Sequence, residues 1–445
     1  MSSRLLNAAL AIASVAAFAS SAAHAQLSLT SAVGLALRSD PRVSAAQADV
    51  DKARAQLAEA KDAYVPVVGA VGGVGKSTGV PLSVPTIFTI SAQSLVMNWS
   101  QLDYVRSAHV GWNATQFALQ QAEDDVAEDV IVTYLALNNA QQRKAAAQQA
   151  LDHAQKLLSI TQDRVASGVD AHIEIPRAHR TVVSIQLQML SIDSDIATYS
   201  DHLEHMTGLV GAIPATSTSS IPALPDVATL TSETMPPATI SPALQAALAN
   251  ETAKLEQAHG DARYLYLPQM SFGASYARIT TDFSSYATYY PAFDNPSLSR
   301  NALSLGIQIN LPLLDQAHRA KARQSAADAR RAHAEVVRAR NQFLEGRLKL
   351  EHSATELELN TEAAQDDVEE ARDSLQAVLI QLQPSAGAVN NGQQPLSPKD
   401  EQKARLNISQ KELDLLHARQ QLLQVEISLM RQTGQLSAWL HTVHP

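Results

Sequence analysis

Residues 301–315 read Asn-Ala-Leu-Ser-Leu-Gly-Ile-Gln-Ile-Asn-Leu-Pro-Leu-Leu-Asp. From Arg300 to Leu313 the pattern alternates: Leu303, Leu305, Ile307, Ile309 and Leu311 fall on one face, and Ser304, Gly306, Gln308 and Asn310 on the other. A period of two predicts a strand with one apolar and one wet side. Upstream, Gln269 to Arg278 repeats it, with Met270, Phe272, Ala274 and Tyr276 set against Gln269, Ser271, Gly273 and Ser275. Around this pair crowd Tyr264, Tyr266, Phe272, Tyr276, Phe283, Tyr286, Tyr289, Tyr290 and Phe293, nine of the chain's 20 aromatic residues. Interfacial girdles or an external loop place aromatics in this way, and a soluble hairpin core is the less favoured alternative. Two strands alone are not stable in water.

Downstream the period changes. Leu350, Ala354, Leu357, Thr361, Ala364, Val368, Ala371, Leu375, Val378 and Leu382 are spaced alternately by four and three, a heptad seam with one polar interruption. Ala317 to Gln383 as one helix is about 100 Å long at about 1.5 Å per residue, a column rather than a compact domain. Near the end of the chain, Leu413, Leu416, Leu423, Ile427 and Met430 form one seam, and Leu415, Ala418, Leu422, Val425 and Leu429 a second. Two seams on one helix imply two neighbours. Each seam by itself equally suits an ordinary helical bundle, and length argues against that.

The same plan occurs earlier. Asp40-Pro41-Arg42-Val43-Ser44-Ala45-Ala46 resembles Ser241-Pro242-Ala243-Leu244-Gln245-Ala246-Ala247, and Tyr64-Val65-Pro66 resembles Tyr266-Leu267-Pro268. His205-Met206-Thr207-Gly208 and Arg431-Gln432-Thr433-Gly434 each close a long helical stretch. Each copy reads as a helix, two strands and two very long helices. The first copy's strands, near Val65–Val74 and Thr86–Trp99, alternate less cleanly. Between the copies, Pro214, Pro222, Pro225, Pro236 and Pro237 forbid a continuous helix and predict an extended connector. The organisation read is a signal peptide over 1–25, a first copy over 26–210, a connector over 211–241, a second copy over 242–440 and a tail over 441–445. Arg4, the apolar run Leu5–Phe18 and Ala23-His24-Ala25 carry the signal-peptide reading, with cleavage before Gln26. No later segment offers about 20 consecutive apolar residues, so membrane insertion would have to use strands.

Composition narrows the chemistry. The net charge of -10 arises from 34 basic and 44 acidic residues mixed along the chain, with no basic stripe to follow a nucleic acid. The absence of cysteine removes disulfides, thiolate metal sites, catalytic thiols and a lipidated amino-terminal cysteine. Gly69-Ala70-Val71-Gly72-Gly73-Val74-Gly75-Lys76-Ser77 looks like a phosphate loop, yet Ala70 stands five before Gly75, where a glycine is required, and Gly79, Pro81 and Pro85 prevent the following helix. A strand and hairpin loop is the bland reading, and nucleotide binding lost on Lys76→Ala would revive the other. His202 and His205 have metal spacing but no third ligand, which favours a solvated helix end. No catalytic set, cofactor site or metal site is read.

An exported, cysteine-free chain with this doubled order resembles the TolC-like outer-membrane efflux protein family over Gln26 to about Trp439. The local matches are Ser39-Asp40-Pro41 and Ser241-Pro242 at the copy starts, Tyr64-Val65-Pro66 and Leu267-Pro268 entering strands, and Asn310-Leu311-Pro312-Leu313-Leu314-Asp315 leaving one. The most specific is Arg164-Val165-Ala166-Ser167-Gly168-Val169-Asp170 with Ile173-Glu174-Ile175-Pro176-Arg177-Ala178, similar to the family's helix-hairpin tip. The resemblance implies a mainly α homotrimer with a transmembrane β-barrel of 12 strands, four from each chain. Long antiparallel coiled-coil helices would form a periplasmic α-barrel. Such a chain would lie in outer-membrane lipid and extend into the periplasm. It would act as a passive exit duct for a tripartite efflux pump or type I secretion, beside a periplasmic adaptor and an inner-membrane pump. The other class considered is a periplasmic coiled-coil scaffold without a pore.

In the family, acidic residues just after the tip turns constrict the periplasmic entrance. Counting back 34 residues from Gly208 and Gly434 lands on Glu174 and Asp400, and three further on stand Arg177 and Lys403. Lys403 departs from the family, which often has a second acid there, and a carboxylate paired with it would weaken an acidic ring. Three Asp400 side chains around one axis would favour cations; an ordinary charge at an exposed helix start is the equal alternative. The resemblance assigns adaptor contacts to the tips, at Ser167, Gly168 and Val169 in the first copy and at Gly387 and Gly392 in the second. From Asp103 to Asp315 the offset is 212, and from Gly208 to Gly434 it is 226. The surplus of 14 falls in Gln383–Pro398, where the family has a short turn, and is expected to alter adaptor docking.

Overall fold

Helix, strand pair, long helix and half-length helix follow one another twice along the chain. The computed structural model describes residues 27–73, 86–209, 216–225, 227–228, 241–279, 299–382 and 397–440. The first round comprises α1 (Leu29–Ser39), α2 (Pro41–Asp62), β1 (Val67–Gly72), β2 (Thr86–Met97), α3 (Trp99–Ala166) and α4 (Glu174–Thr207). The second comprises α5 (Pro242–Tyr264), β3 (Gln269–Ile279), β4 (Asn301–Asn310), α6 (Gln316–Leu382) and α7 (Pro398–Thr433), followed by α8 (Leu436–Leu440). Two compact units divide the chain within α2, α3 and α6 and at the start of α5: one holds Ala46–Gln120 and Pro242–Asn341, the other the remainder.

In the first unit the strands form one antiparallel sheet in the order β1-β2-β3-β4. The register sets Val68, Ala92, Ala274 and Leu305 in one row and Ala70, Ile90, Tyr276 and Leu303 in the next, all on one face. The opposite face carries Gly69, Ser91, Ser275 and Ser304, then Val67, Gln93, Gly273 and Gly306. None of these eight carries a charge. The pairing of β2 with β3 slips between Thr86 and Phe88 and again between Leu95 and Met97. Each β-bulge changes the parity of the strand, which explains why β2 alternates poorly in sequence. At the helical end of the sheet, Asn98 accepts hydrogen bonds from the backbone N–H groups of Ser100 (3.0 Å) and Gln101 (3.2 Å) and so starts α3. Gly260, inside α5, admits the Tyr104 ring, because a Cβ there would stand 2.7 Å from it.

The second unit holds the main apolar core. α1 buries Leu29, Ala32, Val33 and Ala36 at helical spacing, against Val126, Val130, Ile131, Tyr134, Leu203, Ile427, Met430 and Trp439. The connector docks onto this core where it is described. Tyr134 donates to the Leu27 carbonyl at 2.6 Å and accepts from the Ser217 N–H at 2.8 Å. Trp439 Nε1 donates to the Ala223 carbonyl at 3.1 Å.

Of the two long helices expected in each copy, one is half as long as the other. α3 and α6 have 68 and 67 residues, whereas α4 and α7 have 34 and 36. Gly208 (φ +72°) and Gly434 (φ +74°) stop the shorter pair in the left-handed conformation that glycine tolerates. The first copy also opens on two helices instead of one. Asp40 ends α1 and accepts from the Arg42 N–H at 2.7 Å, with Pro41 opening α2. The α6 seam faces inward as its spacing predicts: Ala354, Val368 and Ala371 are buried and the other seven members half-buried. Both seams on α7 are likewise buried or half-buried throughout.

Candidate functional site at the helical tip

The end of α3 and the start of α7 meet in the second unit. Gly168 N–H donates to the Val165 carbonyl (3.0 Å) and Val169 N–H to the Arg164 carbonyl (2.8 Å), a paired closure that requires Gly168 at φ +74°. Ser167, Gly168 and Val169 thus form an exposed turn. The turn returns Asp170 to Arg164, whose Nε and guanidinium NH2 each reach one carboxylate oxygen at 3.0 Å. Glu174 then opens α4, where its charge favours the helix N-terminus, and accepts from Arg177 at 2.7 Å.

Lys399 joins this hairpin to α7. Its Nζ lies 2.8 Å from Asp170 Oδ2 and 3.1 Å from Glu174 Oε2, and the residue is only 8% exposed. The Arg164 hydrogen bond, then that of Lys399, holds the Asp170 carboxyl far below its ordinary range. Lys399 and Arg177 lower that of Glu174 in the same way. Burial pulls the Lys399 ammonium down, but its two carboxylates outweigh burial and raise it. Asp400, one residue on, turns to its own helix start. Its Oδ2 accepts from Ser397 N–H (3.0 Å) and Oγ–H (2.9 Å), the returning half of a capping box with Pro398 in the first helical position. Burial raises the Asp400 carboxyl, and the Ser397 hydrogen bonds outweigh it, so the group stays ionised below its ordinary range.

Of the four residues expected at an entrance, Glu174, Arg177 and Asp400 come together around Lys399, while Lys403 is exposed and, among the described residues, forms no ion pair. Its charge still favours ionised Asp400. Glu174 accepts hydrogen bonds from two cations, whereas those to Asp400 come from the neutral Ser397. Gly387 and Gly392 lie outside the described residues, as does most of the enlarged second tip. Sequence reading missed Lys399, Arg164 and Asp170. The only available signal was the Arg164 to Asp170 pairing across the quoted turn, because a lysine after a proline at a helix start ordinarily points into water.

The other sequence features settle elsewhere. His202 Nε2 lies 3.2 Å from Asp129 and His205 Nε2 3.5 Å from Asp201, so the two imidazoles face different carboxylates. Gly69–Gly72 belong to β1, and residues 74–85 lie outside the described chain. Tyr264 stacks on His318 at 3.5 Å, and Tyr276 donates to Asn301 at 2.9 Å. Phe283, Tyr286, Tyr289, Tyr290 and Phe293 also fall outside the described residues.

The sheet, in the first unit, is a separate candidate surface. Leu303, Leu305, Ile307 and Ile309 are 64–70% exposed, and every residue of β4 is open. The polar face holds a trough of about 350 Å³ lined by Ser91, Gln93, Ser271, Ser275, Ser304 and Gln308, among others. β1 and β4 each have one edge unpaired among the described residues.

Residues 32–209 match the family model described as outer membrane efflux protein. Among curated protein sequences, none matches the chain. Solved structures do. The outer membrane protein VceC of Vibrio cholerae is 16% identical with a TM-score of 0.72, covering 91% of this chain and 96% of that one. The Campylobacter jejuni CmeC outer membrane channel is 15% identical with a TM-score of 0.70, covering 92% and 86%. The open state of the Neisseria gonorrhoeae MtrE outer membrane channel is 13% identical with a TM-score of 0.71, covering 92% and 90%. These likenesses bear out the fold expected from the sequence.

Proposed function

Since residues 32–209 match the outer membrane efflux protein family model and the whole chain folds as such channels do, we propose that this protein is an outer-membrane exit duct. The observation that carries the reading is the sheet: an exposed apolar face, a troughed polar face and two open edges in one element. In lipid an open edge leaves backbone groups unsatisfied, and only closure into a barrel removes it. β2, β3 and β4, of 12, 11 and 10 residues, are about the length that a tilted strand needs to cross the hydrocarbon core. Three chains would join their four strands into a 12-stranded barrel, lipid outside and polar trough within.

The helices suit the periplasmic part. α4 leaves Val183, Leu187 and Leu190 exposed at a spacing of four and three, a seam for a neighbouring helix. The copies 26–210 and 242–440, joined by 211–241, would each supply half of the strands and columns. Asp400, with Glu174, Arg177 and Lys403 around it, would stand at the periplasmic entrance, and Ser167–Val169 together with the Gly387 and Gly392 segment would meet the adaptor. Energy would come from an inner-membrane pump, so the duct has no need of catalysis. Cargo would be small molecules or secreted polypeptide.

The test is extraction. The exported protein should fractionate with the outer membrane, resist salt and alkali, and come free as a trimer only in detergent. Release by osmotic shock as a soluble trimer would instead favour the periplasmic scaffold.

A further inference from the structure

The contact between the two copies inside one chain is a template for the contact between chains. β2 and β3 run antiparallel, so the end of β2 lies beside the start of β3, with Met97 opposite Met270. Asp103, six residues past that end, therefore meets Arg263, six before that start. Arg263 NH1 lies 2.8 and 2.9 Å from the two oxygens of Asp103, which is fully buried. The free edges repeat the arrangement. β4 ends at Asn310, five residues before Asp315, and β1 starts at Val67, six residues after Lys61.

The equivalence is residue by residue. Arg263 minus Lys61 is 202, the offset of Pro268 from Pro66, and Asp315 minus Asp103 is 212. Lys61 and Arg263 each provide the basic residue of the last turn in the helix that enters a strand. Asp103 pairs with Arg106 at 3.3 Å and Asp315 with His318 at 3.3 Å, the same spacing of three in both copies. One half of the pair is unused, because Lys61 is exposed and, among the described residues, belongs to no ion pair. Asp315 is half-buried and has an oxygen that already accepts from the His318 N–H.

We infer that Lys61 of one copy pairs with Asp315 of the next where β4 joins β1 across the subunit boundary, as Arg263 pairs with Asp103 within the chain. The inference rests on the proposed trimeric duct. It adds a charge lock at each of the three seams and sets the relative height of the joined edges, since a slip of the strands would carry the two charges apart.

The experiment uses the full-length protein in outer membranes. Lys61→Cys with Asp315→Cys, treated with a short bismaleimide, should yield covalent dimers and trimers on a denaturing gel, and either single cysteine none. Lys61→Glu should lower by several degrees the temperature at which unlinked trimers dissociate in dodecyl sulfate. In an Asp315→Asn background, which retains an oxygen for the His318 N–H, that loss should vanish. Wild-type trimers without crosslinking in the double variant, or with equal loss in both backgrounds, overturn the pair and leave the duct standing. A wild-type protein that never trimerises overturns both.

Discussion

Lys399→Met raises the single-channel conductance several-fold and lengthens the open dwells, while Lys399→Arg leaves both near the wild-type value. Methionine keeps most of the aliphatic stem and removes only the charge. Asp170 retains Arg164 and Glu174 retains Arg177, so the first hairpin stays closed on itself and loses its charged tie to the first turn of α7, while Leu406 still packs against Ala150, Ala154 and Val182 further along. In the proposed trimer that loss would occur three times and let the entrance spread. Lys156→Met, at an exposed position on α3 that forms no ion pair among the described residues, serves as the control and should change little. The pH dependence follows from the signs of the shifts. Asp170 and Glu174, lowered from 3.8 and 4.5, contribute stability above those values and lose it as pH falls through their lower native ones. Lys399, raised from 10.5, contributes below that value and loses it as pH rises through its higher native one. Wild-type conductance should therefore be flat between about pH 5 and 9 and rise only outside that window. Unchanged conductance in Lys399→Met would remove the tie from the account.

Leu305→Arg abolishes trimer assembly in the outer membrane, whereas its neighbour Ser304→Arg assembles and shifts permeation toward anions. The two residues are adjacent in the middle of β4 and lie on opposite faces of the sheet. An arginine on the lipid face near the bilayer midplane costs about 2–4 kcal/mol per copy, and a trimer bears it three times. On the polar face the same side chain enters a trough lined by serine, glycine and glutamine, where water can solvate it and its field acts on passing ions. Heat-resistant trimer on a gel measures the first effect and the reversal potential in a salt gradient the second. Equal assembly of both variants would mean that the apolar face does not meet lipid.

Strands and columns were legible where one local period governed them. β4 and α6 emerge within about three residues of the expected bounds because Leu303 to Ile309 and Leu350 to Leu382 each obey a single rule over their whole length. β2 was obscured because Leu95 follows the alternation onto the polar face opposite Ser271, and the register shift after it carries Met97 to the apolar face opposite Met270. The halved length of α4 and α7 was signalled by Gly208 and Gly434 as stops and by the tip turns before Glu174 and Asp400, 34 residues earlier, although both helices of each copy were read as very long. Lys399 was not legible. Its partners stand 229 and 225 residues away, and no local pattern distinguishes a lysine drawn into a junction from one in water. Arg263 and Asp103, 160 residues apart, hid for the same reason, although the internal repeat then carries their lesson to Lys61 and Asp315.

The central claim is that three copies of this chain enclose a continuous water path across the outer membrane. Single-channel recording of the detergent-extracted trimer in a planar bilayer, beside Asp400→Ala, tests it most directly. Steady cation-selective steps, with selectivity weakened by Asp400→Ala, are the predicted result. Folded trimers that give no steps would contradict it.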